Sequence, residues 1–161
     1  MLLIIVKTDS PEVSKRLGRM LEGLELVPGV YLTWYPRDKA ARAVEAVKKN
    51  VVKQWEERGK GPVFEAALLE LSEEQYKEVR PMARAVIEAV GATMLEEMER
   101  LLVNMRSGKQ GKNLLGWYRD LANRYQKLVN AALALDIEPT IIGKLKDKWK
   151  EVSLEAGRLR S

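Results

Sequence analysis

The stretch Leu2-Leu3-Ile4-Ile5-Val6-Lys7-Thr8-Asp9-Ser10-Pro11-Glu12 sets the first two elements of the chain. Leu2 to Val6 form a continuous apolar run, the pattern of a strand covered on both faces and placed centrally in a sheet. Ser10 suits a helix N-cap, Pro11 the first helical position, and Glu12 the positive end of the helix dipole. Val13, Leu17, Met20, Leu21 and Leu24 then share one helical face, with Lys15, Arg16 and Arg19 on the other.

Downstream, Pro28-Gly29 fits the two central positions of a type II turn, where glycine takes the positive φ without strain. The residues that follow, Val30 to Tyr35, are β-branched and aromatic and alternate with period two, so this segment is a hairpin. Pro36 ends it. Asp38 is the expected cap of a second helix carrying Ala40, Val44, Val47, Val51 and Trp55 at helical spacing, and Gly59-Lys60-Gly61-Pro62 stops that helix. Residues 63–71 read as a fourth strand. Strand, helix, hairpin, helix, strand is the βαββαβ order of a ferredoxin-like unit, here filling residues 1–72.

Residues 73–161 read as three helices. Ser72-Glu73-Glu74-Gln75 is a capping box, and Pro81 is a candidate kink in the helix it opens. Met94, Met98, Leu101 and Met105 continue that helix's apolar seam. A polar loop near 106–113 separates it from Leu114, Tyr118, Leu121, Tyr125, Leu128, Ala132 and Leu135. The last seam is Ile142, Leu145, Trp149, Val152, Ala156 and Leu159. Spacings of four and three on neighbouring segments predict antiparallel helices packed as a helical bundle or coiled coil. Trp55, Trp117 and Trp149 fall on or near the stripes of their own helices and are expected in the core. The fold class is therefore α+β, a ferredoxin-like unit followed by a helical extension. A helix over 73–105 would run about 50 Å at 1.5 Å per residue. Unless Pro81 and Gly91 bend it back, its seam needs a partner, and that predicts self-association as a homodimer or higher oligomer.

Composition limits the chemistry. With 161 residues and neither Cys nor His, the chain has no disulfide, no thiolate nucleophile, no Ser-His-Asp triad and no common transition-metal ligand set. Carboxylate, Lys, Tyr or backbone chemistry remains, or none. No window is apolar enough for a membrane span, and MLLIIVKTDS lacks the basic start of a secretory signal. A cytoplasmic protein is expected. Charged residues make up 32% of the chain, a share that with the absence of Cys fits a thermophilic protein.

The net charge of +5 is uneven along the chain. Residues 1–72 hold 12 Lys and Arg against 10 acids, residues 73–105 hold 4 against 7, and residues 106–161 hold 12 against 6. Arg106, Lys109 and Lys112 sit on the polar loop, and Lys144 and Lys148 on the last helix. These five are the candidate contacts to a nucleic-acid backbone, a surface that binds by counterion release. A solvated helix face is the plainer account of the same charges. Gly108-Lys109-Gln110-Gly111-Lys112-Asn113 is not a phosphate loop. Its glycines are too close, Asn113 replaces the magnesium-binding Ser or Thr, and no apolar strand precedes it. Asp9, at the end of the first strand, is the candidate Mg²⁺ ligand and with it the candidate nuclease residue; a polar residue ahead of a helix cap is the alternative. Tyr31, Trp34 and Tyr35 could stack bases or simply form sheet faces.

The segment from Ile4 to Val47 resembles the small nuclease-fold subunit of the CRISPR spacer-acquisition complex. The resemblance is carried by the apolar first strand, Thr8-Asp9 with Pro11 close behind, Lys15-Arg16-Leu17-Gly18-Arg19, and Gly29-Val30-Tyr31-Leu32 before a charged helix. It implies a ferredoxin-like, dimeric, duplex-DNA-binding protein in which Asp9 would hold a metal ion. The whole layout, with Glu73-Glu74-Gln75-Tyr76 opening long helices, is similar in plan to the N-terminal region of chromate-resistance regulators, which implies a regulatory or binding role without catalytic residues. The leading expectation is a non-catalytic, oligomeric nucleic-acid-binding or regulatory protein. A homo-oligomeric structural protein and a Mg²⁺-dependent nuclease using Asp9 follow it.

Overall fold

The computed structural model describes residues 1–108 and 112–160. Among the described residues, four strands and five helices follow one another: β1 (Leu2–Thr8), α1 (Pro11–Met20), β2 (Gly23–Val27), β3 (Val30–Thr33), α2 (Arg37–Arg58), β4 (Phe64–Glu70), α3 (Glu73–Arg106), α4 (Lys112–Ala134) and α5 (Thr140–Arg160). The class is α+β. The chain divides into two compact units, Met1–Ala83 and Arg84–Ser161, with the boundary falling inside α3.

In the first unit the sheet has the order β2-β3-β1-β4, and every neighbouring pair is antiparallel. β1 is central, with Ile4 opposite Tyr31 on one side and Leu68 on the other. Its burial corrects the expectation of two covered faces. Leu2, Ile4 and Val6 are buried, whereas Ile5 is 44% exposed. The reason is that α1 and α2 return to the same side of the sheet. Val13, Leu17 and Leu21, with Ala40, Val44, Val47 and Val51, form one cluster with Ile4, Val6, Tyr31 and Phe64. On the opposite face Leu32 is buried, but Ile5, Val27 and Leu69 remain well exposed.

Local signals explain most element ends. The Ser10 hydroxyl accepts the Val13 N–H at 3.3 Å, Pro11 occupies the first helical position, and Glu12 lies in the first turn. Gly29 adopts φ +84°, as the expected turn requires, and its carbonyl accepts the Val6 N–H at 2.7 Å. The expected Asp38 cap does not form. The Pro36 carbonyl accepts the Ala40 N–H at 3.1 Å, so the helix begins at Arg37 and Asp38 pairs instead with Arg42 at 3.2 Å. The capping box at Ser72 is reciprocal: Gln75 Oε1 accepts the Ser72 N–H, and the Ser72 hydroxyl accepts the Gln75 N–H.

In the second unit, Met94, Met98, Leu101, Met105, Leu121, Leu128, Leu135, Leu145, Val152 and Ala156 are buried, as their spacing predicts. Arg124 of α4 grips the Glu97 carboxylate of α3 with two hydrogen bonds, 2.6 and 3.2 Å long. A planar guanidinium meeting a carboxylate this way fixes geometry as well as charge. Tyr118 of α4 stacks on Trp149 of α5 at 5.1 Å between ring centres, 6° from parallel. Trp117 and Trp149 are half-buried rather than core. No helix among the described residues is long and apolar enough to cross a membrane.

Candidate nucleic-acid interface

The C-terminal candidates fall into different situations. Arg106, the last residue of α3, lies 3.9 Å from Glu151 and 4.0 Å from Glu155 of α5. Lys148 lies 3.5 Å from that same Glu151, and Arg158 lies 3.2 Å from Glu155. Positions 148, 151, 155 and 158 are three or four apart and so share a helix face, which is why acids stand among these bases. Arg106 and Lys148 are thus brought together, but around carboxylates. Lys144 is exposed on α5, Lys112 opens α4, and Lys109 lies outside the described residues. A phosphate approaching Arg106 or Lys148 competes with Glu151 and Glu155 for the same donors.

Asp9 is exposed, and its Oδ1 accepts the Val63 N–H at 2.8 Å. The bond ties the end of β1 to the residue that precedes β4. Among the described residues no group of three or more acidic side chains is gathered in a way that could hold a metal ion. Of the aromatic candidates, Tyr31 is only 4% exposed, so it offers no face to a base. Its hydroxyl donates to the Ser14 carbonyl at 3.2 Å and shares a 2.7 Å hydrogen bond with the Ser14 hydroxyl. Burial pushes the Tyr31 phenol above its usual value of 10.0, against the Ser14 hydroxyl, which lowers it. Trp34 donates its indole N–H to Glu22 at 3.3 Å, and Lys39 sits 5.5 Å over the Tyr35 ring.

A second cationic surface lies in the first unit. The outer sides of α1 and α2 flank a groove of about 590 Å³, lined by Lys15, Arg16 and Arg19 of α1 and by Asn50 and Gln54 of α2. Lys15, Arg16 and Arg19 are exposed, and among the described residues no ion pair engages them. Glu12 is the acidic side chain in the lining. Gln54 donates to Asn50 at 3.0 Å, which braces the amide wall of the groove. The cations are visible in the sequence as the polar side of the first helix. Their companions lie more than thirty residues downstream in the sequence and join them only when α1 and α2 pack side by side on the sheet.

Beside the groove, joined to it through Pro62, stands Trp55. Expected in the core, it is 47% exposed. Its indole N–H donates to the Pro62 carbonyl at 2.9 Å, and Pro62 itself lines the groove. A Cβ at Gly61 would fall 2.9 Å from the indole Cδ1, so glycine is what allows the loop to close against the ring. Trp55 therefore leaves the α2 stripe for the loop that ends the helix. Comparison with family models, with curated proteins and with solved structures returns no match for this chain.

Proposed function

We propose that the protein is a non-catalytic nucleic-acid-binding protein that holds the phosphate backbone in the groove between α1 and α2. The observation that carries this reading is the trio Lys15, Arg16 and Arg19, three cations on one wall of one groove that no ion pair engages among the described residues. Cations already paired to carboxylates gain less from a phosphate, since one anion replaces another. Unpaired ones gain the full effect of counterion release. The Asn50 and Gln54 amides add neutral donors of the kind that position a backbone without reading sequence. Asp9 serves in this reading as the clasp on Val63.

The order β2-β3-β1-β4, the antiparallel pairings and the placement of α1 and α2 on one sheet face support a ferredoxin-like description of the first unit. That architecture leaves the helical layer outward, where a long polyanion can reach it. Three neutralised phosphates predict that affinity falls with roughly the second to third power of salt concentration.

Anisotropy titrations of labelled oligonucleotides at low salt test the reading. Replacing Lys15, Arg16 and Arg19 together by Ser is expected to weaken binding about tenfold or more and to flatten the salt dependence by two to three powers. The fold should survive, because all three side chains are exposed. Unchanged affinity in that variant overturns the assignment. So does the absence of binding below about 10 µM at 50 mM salt, where non-specific binders register.

A further inference from the structure

We propose that Trp55 is a base-stacking platform beside this groove, and that the preferred ligand is single-stranded rather than duplex nucleic acid. The inference rests on the nucleic-acid reading above and adds strand selectivity to it. Three observations carry it. The indole is 47% exposed although it is the largest apolar side chain on α2. It is nevertheless held in place, by the 2.9 Å hydrogen bond to the Pro62 carbonyl and by the close approach of Gly61. And the residue that holds it, Pro62, is shared with the groove that contains Lys15, Arg16 and Arg19.

A nucleotide presents a phosphate and a flat π-face on opposite sides of a sugar. Cations along a wall satisfy the first, and an aromatic ring fastened to a residue of the same groove satisfies the second. In a duplex the base faces are stacked on one another and none is offered to the protein. In a single strand every base offers one. A ring already fixed by its own hydrogen bond loses little freedom when a base lands on it, so the stacking contact is not offset by ordering the side chain. The indole N–H is used by Pro62, so the platform reads no base edge, and recognition is tolerant of sequence.

Titrations with oligo(dT) of about twelve nucleotides and with a mixed-sequence duplex of the same length test the proposal on the full chain. The native protein should bind the single strand more tightly. Trp55→Leu is expected to weaken single-strand binding about 5- to 50-fold while leaving duplex binding within about twofold. Trp55→Phe, which keeps a ring but not the bond to Pro62, should retain most of the single-strand affinity. Irradiation of the native protein with oligo(dT) carrying one 5-iodouracil should cross-link Trp55, a readout that does not depend on any variant folding. An equal loss on both ligands, no loss on either, or a cross-link elsewhere overturns the proposal. If the duplex binds as well as the single strand and both require Lys15, Arg16 and Arg19, only the stacking inference fails. If neither ligand binds, the nucleic-acid reading fails with it.

Discussion

The α1 face and the α5 face carry the same kinds of residue and present them in opposite ways. On α1, Lys15, Arg16 and Arg19 share a groove with a single acid, Glu12, and no ion pair reaches them among the described residues. On α5, Lys148 and Arg158 alternate with Glu151 and Glu155, and Arg106 of α3 joins the same two carboxylates. The segment 106–161 nonetheless has the larger formal surplus, 12 bases against 6 acids. Summed charge decides solubility and long-range attraction. Local pairing decides which cations are available to a phosphate. The two quantities separate here because helix periodicity places residues three and four apart together, whatever the total along the segment.

Converting the α5 face into one like the α1 face gives the largest expected effect. Glu151→Gln with Glu155→Gln removes the carboxylates that Arg106 and Lys148 face. Affinity for oligonucleotides at 50 mM salt is expected to rise about tenfold, with the salt dependence steeper by one to two powers. Stability should fall by no more than about 1–2 kcal/mol, because the Glu151 pairs are exposed and contribute little, whereas the Glu155 side chain is only 14% exposed. Anisotropy and a denaturant melt read the two effects. If affinity does not change, carboxylate pairing is not what silences the α5 face.

This contrast also marks what the sequence could tell. The seams Met94-Met98-Leu101-Met105 and Leu121-Leu128-Leu135 are buried where their spacing places them, since packing an apolar face is a local property of a periodic segment. β1 was legible as a central strand but not as one with a half-open face. A continuous apolar run is the same string whether the second face is fully or partly covered. The candidate cations were legible as residues and not as a site. Lys15, Arg16 and Arg19 acquire meaning from Asn50 and Gln54, and Arg106 loses it to Glu151 and Glu155, through contacts between elements distant in sequence. Trp55 sits on the right stripe for a core residue, and the nearby Gly61-Pro62 draws it out.

A smaller effect probes how α5 is held where its acids can reach Arg106. Gly91 of α3 is buried, and a Cβ there would fall 2.9 Å from Ile141 Cγ1 and 3.4 Å from Leu145 Cδ1 of α5. Replacing glycine inside a helix gains about 1 kcal/mol of helix propensity. Forcing a larger side chain into a packed contact costs about 1–3 kcal/mol. For Gly91→Ala the new methyl would stand 2.9 and 3.0 Å from the two γ carbons of the branched Ile141 side chain, which must shift, so the packing cost at least offsets the gain in propensity. For Gly91→Leu the packing cost wins, and a net loss of about 1 kcal/mol is expected, read as a lower denaturation midpoint. A Leu variant as stable as the native protein would show that α3 and α5 do not meet closely at this point.

The smallest effect concerns the anchor of α1 itself. Tyr31 reaches from β3 to Ser14, the residue before Lys15, and its burial raises the phenol above its usual value of 10.0. A raised folded-state value means that the folded protein holds the proton more tightly than the unfolded chain does. Stability from this source is therefore complete below about pH 10 and is lost as pH climbs through the ordinary tyrosine range toward the raised one. The slope cannot exceed about 1.4 kcal/mol per pH unit for one group. Tyr125 of α4, also raised by burial, contributes with the same sign in the other unit. Denaturant midpoints should be flat in Tyr31 terms from pH 7 to 9 and should fall above pH 10, and Tyr31→Phe should remove part of that fall while leaving the share due to Tyr125. Because Tyr31 fastens the helix that carries Lys15, Arg16 and Arg19, the same variant at neutral pH should loosen the groove and weaken oligonucleotide binding by no more than about threefold, the equivalent of losing part of one hydrogen bond. A Tyr31→Phe protein with the native alkaline slope would place the alkaline sensitivity elsewhere and remove Tyr31 as its origin.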